Sequence, residues 1–338
     1  MQKHSLYSVN LQIIFNRKLY HIGCSTNRRS LKLNNRRPKR SFINFTLTRN
    51  EKPHDSYIVA MFHTKNMRRK LFTLILIFVQ KSVIITSSRS CMPGYDNCVR
   101  VFDTSVDYSS AKQIHKCVAL RIPSVKNTPI CVYDPAIDIH VSRTIIANGN
   151  WEVGNIQKVL SILQNDPRLV FLDLGCNVGV YTLAVAKFGR LVTALDANRK
   201  NLEMLTTSLQ KGNITGMVML IWNALSDKAE TVGFKEDNRN IGGLQMVSGV
   251  SNTTVLGDSN SSVAILLDDL VPLFRNKSVF IKMDIETYEL KAMMGGKKFF
   301  EQVDVKYLFM EWFHHKNSEV GSKIIQFMTE KSIHRITH

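Results

Sequence analysis

The stretch Val170-Phe171-Leu172-Asp173-Leu174-Gly175-Cys176-Asn177-Val178-Gly179-Val180-Tyr181 decides the fold. An apolar, strand-like run ends in an acid, enters a glycine turn and opens a helix-like stretch. Open α/β sheets bind ligands at this point, beyond the carboxyl ends of their strands. Gly175 admits a positive φ and puts no Cβ between the chain and a ligand. The start of the following helix offers free N–H groups and positive potential, suited to a carboxylate or phosphate. A second acid, Asp196, closes the next apolar run 23 residues after Asp173, where a carboxylate can accept both hydroxyls of a ribose.

Outward from this turn, short β-branched runs alternate with amphipathic stretches from about residue 145 onward, the pattern of βαβ units. Strands are expected near Leu169–Leu174, Leu191–Leu195, Met217–Trp222, Ser278–Met283 and Val305–Met310. Helices are expected at Asn155–Gln164, Val178–Phe188, Arg199–Lys211, Leu267–Phe274, Leu290–Phe300 and Ser322–Lys331. Asp237–Ser262, rich in Gly, Asn and Ser, reads as a long surface loop around a short strand. The fold class is α/β, a Rossmann-like, doubly wound, mostly parallel sheet.

The turn is not a dinucleotide fingerprint. Where G-x-G-x-x-G needs its second glycine the chain has Asn177, and no G-K-[ST] loop occurs anywhere. No backbone cradle for a pyrophosphate is therefore written here. What remains suits a nucleoside that carries a carboxylate instead of a phosphate, which describes S-adenosylmethionine.

Further motifs follow in order: Asn223-Ala224-Leu225-Ser226-Asp227, then Ile281-Lys282-Met283-Asp284-Ile285-Glu286-Thr287-Tyr288-Glu289, then Gly295-Gly296 and Met310-Glu311-Trp312. With Asp173–Gly179, these resemble the successive motifs of FkbM-type S-adenosylmethionine-dependent methyltransferases, over about residues 145–315. The resemblance implies a class I methyltransferase fold and O-methylation of a hydroxyl on a sugar-like or polyketide small molecule. It implies that Asp173, Gly175, Asn177 and Gly179 surround the methionine end of the cofactor, that Asp196 holds the ribose, and that Asn223 and Ala224 flank the adenine. A hydroxyl acceptor must lose a proton, and a carboxylate beside the methyl group can take it. Asp284 and Glu286 are the candidates, placed on one side by strand alternation. Glu311 is a weaker one, and His314-His315 read as surface residues. Trp151 reads as packing. No metal ligand is assigned. Two departures stand out. Thr287 occupies a position where the family commonly has glycine, and the chain reaches His338 with room for at most Ile333–Thr337 of a terminal strand hairpin, so the sheet is expected to be truncated.

Charge and cysteines concern the other half of the chain. The net charge is +18, but residues 1–70 hold +14 of it and the remainder only +4. A near-neutral body argues against a nucleic-acid partner. Residues 1–66 read as a basic leader with little stable structure, from which a mitochondrial transit peptide is one possible reading. Met67-Arg68-Arg69-Lys70, leading into the apolar Leu71–Val79, has the layout of a signal peptide or signal anchor over 67–90, with a single membrane anchor near 71–88 as one outcome. Cys91, Cys98, Cys117 and Cys131 cluster in residues 91–144 and suggest two disulfides in an exported segment, with three connectivities open. Sequons at Asn213, Asn252, Asn260 and Asn276 fit a luminal or secreted protein. The expected activity is thus methyl transfer to a glycan or other small-molecule hydroxyl in the secretory pathway. A noncatalytic binding module and a nucleotide-cofactor oxidoreductase are the alternatives.

Overall fold

The computed structural model describes residues 91–92, 97–235, 239–241, 244–248, 261–331 and 333, together with five short strands between residues 9 and 59. Residues 1–85 form one unit and 86–338 another. In the first unit, β1 (Val9–Phe15), β2 (Lys18–Cys24), β3 (Ser30–Asn34), β4 (Phe45–Arg49) and β5 (Ser56–Val59) pair in chain order as an antiparallel sheet. The aperiodic sequence does not suggest this arrangement. The apolar stretch read as a signal or anchor lies outside the described residues. Among the described residues no helix is long and apolar enough to cross a membrane.

The second unit is built on five parallel strands: β8 (Val170–Leu174), β9 (Val192–Asp196), β10 (Val218–Trp222), β15 (Ser278–Met283) and β16 (Asp304–Met310). Their spatial order is β10-β9-β8-β15-β16. The chain winds outward from β8 in one direction and then returns to its other side, so the topological switch point lies between β8 and β15.

A parallel sheet must be covered on both faces, and residue alternation supplies the two apolar surfaces. Phe171, Ala194, Leu220 and Phe280 face α2 (Val153–Asn165), α3 (Val180–Lys187) and α4 (Arg199–Lys211). Leu172, Leu195, Ile221, Ile281 and Met283 face the opposite layer. That layer contains α5 (Val271–Phe274), α6 (Glu289–Met294), α7 (Lys297–Gln302) and α8 (Glu319–Glu330). The single helix expected at 290–300 is two, because the chain turns at Gly295-Gly296, where a Cβ on Gly295 would strike the Ser226 carbonyl oxygen.

Residues 91–144, read from sequence as a segment apart from a domain beginning at 145, pack into this same unit. The hairpin β6 (Lys116–Leu120) and β7 (Thr128–Val132) sets Cys117 opposite Cys131, and the two form a disulfide. The Cys131 N–H donates to Ser208 Oγ at 2.8 Å, and the Tyr133 hydroxyl donates to Asn201 Oδ1 at 2.8 Å, tying the hairpin and its exit to α4. α1 (Val141–Asn148) follows.

Ahead of the hairpin, residues 97–102 form a strap along the free edge of β10. Val101 bridges Ile221, the Phe102 N–H donates to the Leu220 carbonyl, and the Trp222 N–H donates to the Arg100 carbonyl. Cys91 and Cys98 form the second disulfide at its start. An open sheet edge invites pairing with other chains, and the strap removes this one.

A second, smaller sheet sits beyond β10, in the order β11 (Ala224–Leu225), β14 (Ser261–Ile265), β12 (Glu230–Phe234), β13 (Met246–Ser248). Past β16 the described chain adds α8. The short tail expected to fall below a terminal hairpin lies almost wholly outside the described residues.

Candidate functional site

A cleft of about 550 Å³, including its solvent-open part, lies beyond the carboxyl ends of β8, β9, β10 and β15. Gly175 and Asn177 form one wall, Asp196–Asn198 the next, and Asp284, Ile285 and Glu286 a third. Leu225, Phe234, Leu244 and Met246 make an apolar side.

Gly175 is required twice over. Its φ is +79°, and a Cβ there would overlap the Asp284 carbonyl oxygen, so only glycine lets β8 and β15 approach at the mouth. Asn177, at φ +50°, has the next left-handed backbone. Its N–H donates to Asp196 Oδ2 at 2.7 Å. The other oxygen of Asp196 accepts from the Asn198 N–H at 2.8 Å and from Asn201 Nδ2 at 3.2 Å. Burial pushes the Asp196 carboxyl up to about 7, against the pull of those N–H groups.

Of the residues assigned to the cofactor, Gly175, Asn177, Asp196, Asn223 and Ala224 line this cleft, while Asp173 and Gly179 do not. Asp173 is fully buried behind it. The Thr182 hydroxyl donates to Asp173 Oδ2 at 2.6 Å, and Lys282 Nζ, on the strand position directly opposite, lies 3.7 Å from Oδ1. The acid therefore supports the start of α3 and neutralises a buried lysine instead of facing a ligand. Gly179 is pressed against Leu205. Asn223 reaches the cleft wall, but its side chain is occupied. It donates to the Cys98 and Val263 carbonyls at 3.0 Å each and accepts from the Arg100 N–H at 2.8 Å, clamping the strap to the small sheet.

Lys282 is the residue that sequence reasoning missed. It is 5% exposed, donates to the Gly175 carbonyl at 2.9 Å, and lies 3.3 Å from Asp284 Oδ2. Burial alone would lower its pKa, but Asp284 and Asp173 outweigh it and hold the ammonium above its ordinary value. A signal was present: a lysine inside the apolar run Ser278–Met283 needs a buried partner.

Asp284 and Glu286 both reach the cleft, though not by strand alternation. β15 ends at Met283, and Glu286 and Thr287 follow in a left-handed turn at φ +53° and +75°. Burial, then the charges of Asp284, Glu311 and Glu289, push the Glu286 carboxyl up to about 7. Burial and Asp284 also raise Glu311. His315, read as a surface residue, is buried, with Nε2 2.9 Å from Glu289 Oε2; His314 remains half-exposed. The other oxygen of Glu289 accepts the Ile285 N–H at 2.9 Å. Donor atoms of Glu286, Glu311 and His314 fall within 4.8 Å of one another and are those a divalent cation could use. Trp151 packs against the core on the α2 side.

Thr287, at φ +75°, carries a β-branched side chain on a left-handed backbone. A left-handed backbone costs a residue with a Cβ roughly 1–2 kcal/mol, partly offset by the greater freedom glycine loses on folding. Thr287→Gly is expected to raise stability by about 1 kcal/mol, read as a higher urea midpoint; an unchanged or lower midpoint would show that the turn carries no such strain.

Residues 173–332 match the family model described as the methyltransferase FkbM domain. No curated protein and no solved structure matches the chain. The matched region starts at Asp173 and spans every wall of the cleft, leaving the strap, the disulfide hairpin and α2 ahead of it. Over residues 173–332, just under half of its length, the chain is similar to the FkbM methyltransferase domain.

Proposed function

We propose that the cleft binds S-adenosylmethionine and that the protein transfers its methyl group to a hydroxyl of a glycan or another small molecule. The observation that carries this reading is the charge of the cleft. Its described lining includes three carboxylates, Asp196, Asp284 and Glu286, and no lysine or arginine, with the one ammonium close by, Lys282, set 3.3 Å from Asp284. Such a wall suits a sulfonium cation and opposes the diphosphate of a nicotinamide or flavin dinucleotide, which speaks against the oxidoreductase alternative. The apolar side formed by Leu225, Phe234, Leu244 and Met246 suits a purine, and Asp196, at the end of β9, retains acceptor capacity for ribose hydroxyls.

S-adenosylmethionine, when bound, supplies an electrophilic methyl group. The chain's own residues position and deprotonate. Lys282 fixes Gly175 and Asp284 relative to each other, so the two cleft walls keep their spacing, and in-line placement is where most of the rate is to be gained. Glu286 takes the acceptor's proton. The two disulfides, uncommon in reducing compartments, support a place in the secretory lumen or outside the cell.

The test is calorimetric titration with S-adenosylmethionine, run beside NADH. Hydrogen bonds to a charged group contribute about 1.5–3 kcal/mol, so Asp196→Ala should weaken S-adenosylmethionine binding by roughly 10–150-fold. Binding of NADH, or no binding of S-adenosylmethionine by the parent protein, would overturn the assignment. Transfer of labelled methyl to a glycan panel separates an enzyme from a noncatalytic module that keeps the fold.

A further inference from the structure

We propose that Asn213 and Asn276 carry N-linked oligosaccharides. The inference rests on the secretory placement proposed above and on the geometry of two Asn-x-Ser/Thr sequences, Asn213-Ile214-Thr215 and Asn276-Lys277-Ser278. Both asparagines are exposed, and both stand at turn corners with left-handed backbones, φ +51° and +62°. Asn213 follows the end of α4, where its N–H donates to the Gln210 carbonyl. Asn276 lies between α5 and β15, where the next residue's N–H closes onto the Phe274 carbonyl.

Their position in the fold is the stronger argument. Asn213 is in the turn that feeds the amino end of β10, and Asn276 is in the turn that feeds the amino end of β15. The cleft opens at the carboxyl ends of those strands. Both attachment points therefore lie at the opposite pole of the sheet, about one strand length, roughly 17–20 Å, from the cleft. A bulky, solvating glycan there covers surface without closing the site.

In the transfer, each asparagine's carboxamide nitrogen bonds to the anomeric carbon of an oligosaccharide carried on a lipid diphosphate. The anomeric carbon–oxygen bond to the diphosphate breaks, the lipid diphosphate departs, and the nitrogen loses one proton. No electrons are gained or lost.

The experiment is expression of the full chain in a secretory eukaryotic host, followed by release with a peptide N-glycosidase, which hydrolyses the glycosyl-asparagine amide, in heavy-oxygen water and peptide mass spectrometry. Asn213 and Asn276 should both convert to labelled aspartate. Thr215→Ala and Ser278→Ala, which leave the asparagines and their turns in place, should each remove one glycan step on a gel, and Ser278→Thr should retain it. Unlabelled Asn213 and Asn276 in the recovered protein would overturn the proposal. S-adenosylmethionine titration of the same deglycosylated sample reports the methyltransferase reading independently, so either idea can fail while the other stands.

Discussion

Asp173→Ala is expected to destabilise the domain by about 1.5–3 kcal/mol, the usual contribution of a hydrogen bond to a charged group, because Asp284 still faces Lys282. The substitution removes the acceptor of the Thr182 hydroxyl and one of the two carboxylates that neutralise Lys282, a lysine enclosed between β8, β15 and α3. For a domain of this size the melting temperature should fall by about 2–4 °C per kcal/mol. Asp173→Asn keeps an acceptor for Thr182 and should lose less. Denaturant unfolding of both variants checks this; equal midpoints for Asp173→Ala and the parent would refute the role given to the pair. The variants also separate two readings of the same acid. A residue holding the methionine end of a cofactor should, as Asn, lose ligand affinity at full stability. A residue holding the sheet together should lose stability while the folded fraction binds almost normally, and the geometry supports the second.

Glu286→Gln should lower methyl transfer by about 10²–10⁴-fold, the usual contribution of a positioned general base, with little change in S-adenosylmethionine affinity. Only the ionised carboxylate accepts a proton. Since burial and three neighbouring acids push Glu286 up to about 7, the parent's rate should rise about tenfold per pH unit below that value and level off above it. The glutamine variant should lose this acid limb. If the limb persisted in Glu286→Gln, the proton would be leaving through another group, and Glu311, raised by burial and by Asp284, is next in reach.

The central sheet was legible because its information is local. Each of the five strands falls within a residue of its expected limits, since β-branched runs ending in Asp173 and Asp196 declare themselves without knowledge of their neighbours. The cleft was legible for the same reason as far as Gly175, Asn177 and Asp196. The rest depends on partners distant in sequence. The apolar side of the cleft draws on Leu244 and Met246, from the region 237–262 whose Gly, Asn and Ser content reads as a loop around a short strand, and on Phe234 just ahead of it. The family resemblance sets Asn223 against the adenine, yet its three hydrogen bonds go to Cys98, Arg100 and Val263. His315 follows a polar neighbour and reads as surface; only the fold of 311–315 back over α6 sets it against Glu289.

The strap along β10 also has a consequence in time. Asn97 hydrogen-bonds Asp269, 172 residues later, and Arg100 meets Asn223, 123 residues later. At about 5–20 residues per second, the ribosome needs roughly ten to thirty seconds between making the strap and completing the surfaces it covers. Contacts of such separation form late. The bond between Cys91 and Cys98 spans seven residues and can close while the chain is still growing. The segment first to emerge from this unit is therefore among the last to dock, and it waits with only its start, up to Cys98, closed into a short covalent loop.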